Sequence, residues 1–301
     1  MTSPAILVCS TPGERLDSYL AQLLGDLSRS HIQRLIREGH VLVNGQTARP
    51  STRLALGDQV QLHLPDAPSQ ELVPEAMPLS IVYQDDQVVV VDKPAGLTVH
   101  PGPGHSQGTL VNALLAHYPD LKEVGDPMRP GLVHRLDADT SGLMVVARTP
   151  LAYESLSRQM RNRTVTKVYL ALVRGHPKPQ EGVIEAPIAR HPRDRQRMGI
   201  VAEGRQATTH YLTIKLFNGF ALLEVRPHTG RTHQIRVHMA ALGHPVAGDA
   251  KYGGRVPFLR RQFLHACRLG FDLPPAAARV EFTSALPPDL EGALATLEPS
   301  P

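Results

Sequence analysis

A proline-rich segment at residues 65–78 limits how the 301 residues can fold. The segment, PDAPSQELVPEAMP, contains four prolines and three acidic residues but few large apolar ones. Proline fixes its own backbone angle and restricts the residue before it, so such a run favours an extended connector over a helix or a central strand. We therefore predict two domains, 1–64 and 79–301, joined by a linker at 65–78. The chain is long enough for each domain to bury its own core.

The first domain is predicted to contain two helices followed by a short sheet. Leucines recur at helical spacing over 14–24, and a second apolar stripe follows Ser28 or Ser30, either of which can cap a helix. Beyond it, Asn44-Gly45 is typical of a two-residue hairpin turn between strands. The pattern indicates a small α+β domain.

Basic residues of the first domain are concentrated in one stretch. Residues 28–53 contain five arginines and one glutamate, an excess of four positive charges that equals the net charge of the whole chain, +4. Arg29, Arg34 and Arg37 lie in the second predicted helix, where the last two are neighbours on one face. A solvated arginine face is the alternative, but segregated charge beside helices and a hairpin favours RNA binding. The arrangement resembles the alpha-L (S4-like) RNA-binding domain of ribosomal and tRNA-related proteins.

Short apolar strands dominate the second domain. Val88 to Val91 is apolar at every position, which is typical of a strand buried on both faces and predicts a central position in a sheet. Further strands are predicted at 166–173, 209–216, 220–227 and 263–271, and helices at 109–117, 151–162, 233–242 and 288–297. Thr229 or Thr232 can cap the helix at 233–242. Many strands with few helices indicate an α+β fold, in which a mixed, mostly antiparallel sheet is flanked by helices.

Several classes of protein are excluded by features that the sequence lacks. No apolar run approaches the roughly 18 residues of a membrane span, and the amino terminus has no cationic leader, so we expect a cytoplasmic protein without a membrane partner. Cys9 and Cys267 form no CxxC pair, which fits a reducing compartment. His233 and His238 are five positions apart, and HExxH, phosphate-loop and GxSxG motifs do not occur. We therefore expect neither a metal nor a cofactor.

Residues 131–146, GLVHRLDADTSGLMVV, place a polar run between two apolar segments. The apolar segments 132–133 and 143–146 are predicted strands, and the polar residues form a turn that closes at a glycine. Arg135 and Asp137 lie two positions apart in this turn, at the edge of a rigid sheet, where proteins present reactive side chains. A surface ion pair in a hairpin turn is the other interpretation.

Three segments resemble motifs of the RluA-type pseudouridine synthases, which isomerise uridine within structured RNA: HRLDADTSG, TKVYLALVRG and GRTHQIRVH. The resemblance implies that Asp137 is the catalytic carboxylate, that Arg236 pairs with it, and that Tyr169 lies against the target base. It also implies that Arg135 fills the gap left when the base is flipped out of the RNA.

Each implied role meets a physical need. A carboxylate stabilises or traps a sugar with oxocarbenium character, a neighbouring guanidinium keeps it ionised, and an aromatic face retains the detached uracil. Asp137 either attacks the anomeric carbon or removes a ribose proton to give a glycal, and the sequence leaves both routes open.

The resemblance also suggests a substrate. Within the family, the first domain and the segments RHPRDRQRM and HTGRTHQIRVHMAALGHP look most like the member that modifies a stem-loop of large-subunit (23S) ribosomal RNA. The basic loop 190–197 supplies Arg193 and Arg195 as candidate RNA contacts, with a merely solvated loop as the alternative. We expect ribosomal RNA as the partner of a monomeric enzyme. Other rRNA or tRNA sites, a non-catalytic ribosome-assembly factor and a glycosylase are the alternatives. GLTVHPG and GDAKYGG resemble further family segments, and we assign them no role.

Overall fold

The computed structural model of the chain describes residues 5–24, 29–63, 72–102 and 107–300. The chain divides into two compact units, Met1–Glu71 and Leu72–Pro301, each with its own buried apolar cluster. Both units combine helices with sheets, which confirms the predicted α+β fold. Residues 65–71 of the predicted linker lie outside the described part of the chain.

The first unit joins helices and strands around one apolar cluster. Its described elements are β1 (Ala5–Val8), α1 (Leu16–Leu23), α2 (Arg29–Arg37), β2 (Val41–Val43), β3 (Gln46–Thr47) and β4 (Gln59–Leu62). The strands form an antiparallel sheet in the order β1-β4-β2-β3. Buried leucines and isoleucines of both helices pack with Val41, Val60 and Leu62 of the strands. The two helices and the sheet therefore share one core.

Local features of the first unit agree with the sequence except at its start. The Asn44-Gly45 turn is confirmed, and both residues have the positive φ, 51° and 77°, that such hairpin turns require. β1 was not predicted, because its sequence AILV does not alternate between apolar and polar residues. One of its apolar side chains, Val8, is in fact 59% exposed. Ser28 and the side chain of Ser30, the two predicted caps of α2, lie outside what the structure describes.

The second unit is built on a large mixed sheet. In chain order its described elements are β5 (Ile81–Gln84), β6 (Val88–Lys93), α3 (Leu110–His117), a 3-10 helix (Pro119–Glu123), β7 (Gly125–Asp126), β8 (Arg129–Pro130), β9 (Ser141–Ala147), α4 (Pro150–Asn162), β10 (Thr166–Arg174), β11 (Glu181–Glu185), β12 (Ile188–Arg190), β13 (Met198–Ile200), β14 (Thr208–Phe217), β15 (Phe220–Pro227), α5 (Gln234–Ala241), β16 (Leu264–Leu273), β17 (Ala278–Thr283) and α6 (Pro288–Ala295). Nine of the described strands form the sheet, in the order β11-β14-β15-β10-β16-β9-β6-β5, with β17 paired to β16. Of the strand pairs described in it, only β9 and β16 run parallel, which confirms a mostly antiparallel sheet.

Residues 72–78, the second half of the predicted linker, are anchored to the second unit. The Nδ2 atom of Asn112 donates to the carbonyl of Val73 (2.7 Å), and the backbone N–H of Gly108 donates to Oε1 of Glu75 (2.9 Å). These bonds fix the segment beside the start of α3. The second unit therefore begins within the predicted linker.

Two strand predictions in the second unit need adjustment. Residues 132–133 do not form a strand, since a single bridge from Leu132 to Val146 is all that pairs there, and β9 begins earlier than predicted, at Ser141. The buried run Val88–Val91 lies in β6, between β9 and the edge strand β5, so it is one strand from the edge of the sheet rather than at its centre.

The predicted threonine cap of α5 is wrong. The residue before the helix is His233, which has a left-handed φ of 56° and no side-chain cap. Thr229 instead donates its hydroxyl to Oε1 of Gln234 (2.6 Å), which also accepts the backbone N–H of Arg231 (3.0 Å). The loop before α5 is therefore wrapped around the Gln234 amide, and neither Thr229 nor Thr232 caps the helix.

One row of residues crosses four neighbouring strands and determines where the motifs meet. Gly142 in β9 lies beside Ala266 in β16, Ala266 beside Tyr169 in β10, and Tyr169 beside Val225 in β15. A Cβ atom on Gly142 would lie 2.3 Å from the carbonyl oxygen of Ala266, and φ there is +115°, so this approach requires glycine. The loop before β9, the middle of β10 and the segment after β15 therefore come together.

Candidate active site

A cleft of about 230 Å³ lies where these three segments meet. It is lined mainly by residues 133–137, by Lys167 and Tyr169, and by residues 229–236. Pockets that hold drug-sized ligands have roughly 300–1,000 Å³, so this cleft suits a single small ring. All three motif segments contribute to its wall.

The carboxylate of Asp137 is paired across the cleft with Arg236. Nη1 of Arg236 donates to Oδ2 of Asp137 at 2.8 Å, and the side chains are 8% and 17% exposed respectively. The expected contact between these residues, which lie on different elements, is therefore present. Partial exclusion from water strengthens such a charge-assisted hydrogen bond.

Arg135 is not the partner of Asp137, although the two share a turn. It is exposed at the cleft and makes no hydrogen bond or ion pair with any residue that the structure describes. The preceding residue, His134, is half-buried, and its Nε2 accepts the backbone N–H of Val145 (3.1 Å). Burial of the ring lowers the pKa of His134 to about 3, so this ring is neutral. A fixed neutral histidine thus precedes an arginine that is free to contact a ligand.

Asp249 holds the other side of the Arg236 guanidinium and was missed by the sequence reasoning. Nε and Nη2 of Arg236 donate to its two oxygens at 2.6 and 3.0 Å, and the carboxylate is 1% exposed. Burial alone would lower the pKa of Arg236, but hydrogen bonds and charge from Asp249 and Asp137 raise it above its usual value. The backbone N–H groups of Lys251 and Tyr252 donate to Asp249 as well (3.0 and 3.2 Å). The segment GDAKYGG, which had no assigned role, therefore orients Arg236.

His233 lines this side of the cleft and is hydrogen-bonded to Tyr252. The Tyr252 hydroxyl accepts the backbone N–H of Met198 (2.9 Å) and shares a hydrogen bond with Nδ1 of His233 (2.8 Å). The other ring nitrogen of His233, Nε2, lies 3.9 Å from Oδ2 of Asp137. Burial lowers the pKa of His233 to about 4, so the ring is neutral near pH 7. The Arg236 guanidinium lies 5.1 Å from the centre of the Tyr252 ring, within range of a cation–π contact.

Tyr169 supplies the aromatic surface of the cleft. It lies in β10 and is buried, and its hydroxyl makes no hydrogen bond within the described part of the chain. Burial, with smaller contributions from Asp137 and Cys267, raises its pKa above the usual value, so the phenol stays protonated. The ring is therefore a neutral aromatic group beside a carboxylate.

Lys93 fixes the backbone next to Asp137. This lysine is buried, and its ammonium donates at 2.8 Å to each of three carbonyl oxygens, those of Pro94, Leu97 and Ala138. Burial lowers its pKa to about 8. Because Ala138 directly follows Asp137, these bonds restrict the peptide that carries the carboxylate. A rigid backbone of this kind favours a single orientation of the reactive group.

The three arginines predicted for RNA contact on α2 differ in their surroundings. Arg34 and Arg37 are exposed on one face, and Arg34 has a loose contact with Glu38 at 3.9 Å. Arg29 instead pairs with the buried carboxylate of Asp17 (3.2 Å), which also accepts hydrogen bonds from other side chains. Arg29 therefore ties α2 to α1, and only the other two have guanidinium groups without such a buried partner.

The basic loop of the second unit connects β12 to β13. Arg193 and Arg195 are exposed in it, as the sequence predicted. The loop is shaped by a hydrogen bond from Nη1 of Arg190 to the carbonyl of Arg195 (2.9 Å) and by a contact between Arg197 and Asp194 (3.8 Å). Its side chains are therefore presented from a short hairpin.

The structure also bears on the metal sites, membrane spans and cysteine pairs considered from the sequence. Within residues 5–24, 29–63, 72–102 and 107–300, no three histidine, cysteine or acidic side chains are grouped closely enough to hold a metal ion. The helices described for this chain are all too short or too polar to span a membrane. Cys9 is buried, Cys267 is half-buried, and both are free thiols.

Comparison with protein families defines the class. Residues 87–241 match the family model described as RNA pseudouridylate synthase, and residues 14–60 match the S4 domain. The first match covers half of the chain and includes Asp137, Tyr169 and Arg236. The chain therefore belongs to the RluA-type RNA pseudouridine synthases, which are isomerases, and carries an RNA-binding S4 domain.

Individual relatives extend this result over nearly the whole chain. An uncharacterized RNA pseudouridine synthase of Chloroflexus aurantiacus is 51% identical, covering 95% of this chain and 90% of its own. Ribosomal large subunit pseudouridine synthase D of Xanthomonas campestris is 43% identical, covering 97% and 92%. Among solved structures, human RNA pseudouridylate synthase domain containing 1 has a TM-score of 0.59 and 32% identity, covering 75% of this chain and 90% of that one.

Proposed function

We propose that the chain isomerises specific uridines of large-subunit (23S) ribosomal RNA to pseudouridine, with Asp137 as the catalytic carboxylate and no cofactor. The observation that carries the chemistry is the Asp137–Arg236 pair in a cleft that also holds Tyr169. Similarity to ribosomal large subunit pseudouridine synthase D of Xanthomonas campestris supports ribosomal RNA as the substrate.

The reaction replaces one glycosidic bond with another. The N1–C1′ bond of uridine breaks, the uracil turns, and C5 bonds to C1′. The proton on C5 is lost, and N1 gains one, so the net change is an isomerisation that needs no oxidant, reductant or water. Asp137 attacks C1′, or removes a ribose proton to give a glycal. Both routes use the ionised carboxylate.

The surrounding groups fit the other steps of this proposal. Arg236 stabilises the charged carboxylate through a hydrogen bond of 2.8 Å. The ring of Tyr169 contacts the uracil and keeps it in the cleft after detachment, which makes reattachment effectively intramolecular. Arg135 occupies the space that the flipped uridine leaves in the RNA, offsetting an unstacking cost of a few kcal/mol. Arg135 makes no hydrogen bond or ion pair with the described residues, so its side chain is available for this role.

Further RNA contacts are proposed on both units. Arg34 and Arg37 of the S4 domain, together with Arg193 and Arg195 of the β12–β13 loop, contact phosphate groups and select the RNA. Arg29 contributes by holding α2 against Asp17. In this proposal the S4 domain decides which RNA is bound, and the second unit performs the chemistry.

The central experiment compares Asp137→Asn with Asp139→Asn on ribosomal RNA that contains uridine tritiated at C5. Asparagine keeps the shape of Asp137 but removes its charge, so we expect tritium release to fall more than about a thousandfold with RNA affinity retained. Asp139 is exposed two positions away and serves as the matched control, with a rate near that of the wild type. Residual turnover of Asp137→Asn above about a hundredth of the wild-type rate would rule out the proposed role.

The products distinguish the remaining alternatives. A glycosylase would leave free uracil and an abasic site, and a binding factor would release no tritium. Mapping pseudouridine in large-subunit rRNA from cells that lack the protein should show specific missing positions. If those positions were intact and tRNA sites were missing, the rRNA assignment would be wrong while the chemistry would stand.

A further inference from the structure

Four basic side chains that the mechanism does not use lie together at the edge of the cleft: Arg163, Lys167, His228 and Arg231, named here the basic cluster. Arg163 ends α4 in a left-handed conformation (φ 60°) and is exposed. Lys167 lies in β10, two positions before Tyr169, while the other two follow β15. Lys167 and Arg231 also line the cleft that contains Asp137. Three separate elements thus bring positive charge to one edge.

The members of the basic cluster lie close enough to influence one another, and no carboxylate in the described part of the chain is paired with Arg163, Lys167 or Arg231. Burial, followed by positive charge from His210, Arg163 and Lys167, lowers the pKa of His228. The His210 and His228 rings are 4.5 Å apart. Burial, followed by positive charge from Arg205 and Arg163, lowers the pKa of Arg231. No acidic group contributes to either shift.

Some other arginines in the second unit are balanced by carboxylates. Several are paired with acidic side chains at 2.5–3.6 Å, namely Arg226 with Glu224, Arg268 with Glu224, Arg261 with Asp289 and Arg279 with Asp272. Within the described residues, Arg163, Lys167 and Arg231 form no ion pair. Gathering like charges without counter-charge costs free energy, and a bound anion offsets that cost.

We propose that the basic cluster binds the RNA backbone phosphate next to the uridine that occupies the cleft. Guanidinium and ammonium groups suit this ligand, since arginine donates in pairs to phosphate oxygens and lysine acts as a point charge. Because Lys167 and Arg231 share the cleft wall with Asp137, the phosphate they reach belongs to the reacting nucleotide or its immediate neighbour. The inference rests on the proposed function for the nature of the ligand. It assigns to these side chains the anchoring of the nucleotide and no part in bond breaking.

The test compares a double variant, Arg163→Gln with Arg231→Gln, with a matched double variant, Lys122→Gln with Arg174→Gln. The control removes two exposed positive charges from the second unit, and Arg174 lies at the opposite end of β10 from Lys167. Affinity for transcribed 23S rRNA is measured over a salt series. The slope of log affinity against log salt should fall by up to about 0.7 for each phosphate of single-stranded RNA that the variant no longer binds, and affinity should fall about tenfold. The control should keep the wild-type slope.

Kinetics separate anchoring from chemistry. The cluster variant should show a KM raised about tenfold with an unchanged rate at saturating RNA, because only binding is weakened. A second variant, Arg163→Lys with Arg231→Lys, keeps both charges and should therefore keep the wild-type slope, whereas structural damage at these positions would change the slope in both variants. Wild-type slope and KM in the glutamine variant would overturn the proposal, as would an unaltered slope with a reduced saturating rate.

The experiment also separates this inference from the proposed function. Binding is measured without turnover, on the Asp137→Asn background, so the salt slopes decide the role of the cluster even if the wild type releases no tritium. Absence of tritium release would reject the proposed function alone. A normal tritium release with unchanged slopes would reject the basic cluster alone.

Discussion

Replacing Asp249 by asparagine tests how the guanidinium of Arg236 is held. The substitution keeps one hydrogen-bond acceptor and removes the buried negative charge that accepts two bonds, at 2.6 and 3.0 Å. Breaking a buried ion pair typically costs 3–5 kcal/mol. We expect about 3 kcal/mol, the lower end of that range, because Asp137 still compensates the positive charge. For a unit of this size that corresponds to a Tm lower by about 6–12 °C.

Catalysis should suffer more than binding in the same variant. Without the Asp249 carboxylate the guanidinium is held less firmly, and a displacement of about 1 Å at a reacting group can cost on the order of a hundredfold in rate. We therefore expect the single-turnover rate of tritium release at 25 °C to fall between about ten- and a hundredfold with RNA affinity unchanged. Asp272→Asn, which breaks the more exposed contact with Arg279 (3.3 Å), is the control. An Asp249→Asn enzyme with wild-type rate and Tm would refute the view that Asp249 positions Arg236.

Three further outcomes are expected. Changing Arg34 and Arg37 together to alanine should weaken RNA binding and reduce the slope of log affinity against log salt by up to about 0.7 per phosphate contact. An unchanged slope would mean that these two arginines are merely solvated and do not contact phosphate. Burial lowers the pKa of His134 in the folded protein to about 3, whereas in the unfolded chain it is near 6.5. Between these two pH values the unfolded chain binds one proton more than the folded protein. The free energy of unfolding is therefore fully retained above pH 6.5 and decreases as the pH falls below it. In urea denaturation the wild type should therefore lose about 2 kcal/mol more than His134→Gln between pH 6.5 and 5, and equal losses would contradict this. Gly142→Ala should destabilise the fold by about 3 kcal/mol or more, whereas Gly219→Ala, with a positive φ but open space around its Cβ position, should cost about 1–2 kcal/mol in thermal unfolding.

The sequence predicted the architecture where chemistry and periodicity agree locally. The hairpin at Asn44-Gly45 has the residues that its turn requires, and the apolar run Val88–Val91 can only be buried on both sides. The contact of Arg236 with Asp137 was expected as well, but from resemblance to a family rather than from spacing. Nothing in the residues between them indicates that these two side chains meet.

The features that were missed depend on long-range packing. Asp249 looked like an ordinary loop aspartate, and only the folded chain shows that it is buried against a guanidinium. The cap of α5 was assigned to Thr229 or Thr232 because threonine commonly caps helices, but the helix has no side-chain cap, and the hydroxyl of Thr229 donates to the Gln234 amide instead. Arg29 has the same charge as the exposed arginines on its helix, yet it lies within reach of the buried Asp17. Composition and periodicity cannot distinguish such cases.

The order of strands in the sheet has a consequence for protein synthesis. β16 lies between β9 and β10, so the Asp137 loop and Tyr169 become neighbours only after residues 264–273 have been made and inserted. Arg236, 99 residues after Asp137, likewise emerges late from the ribosome. Contacts this distant in sequence form slowly because a long loop must close first. The first unit, which has an apolar cluster of its own, therefore leaves the ribosome well before the residues that complete the cleft have been made.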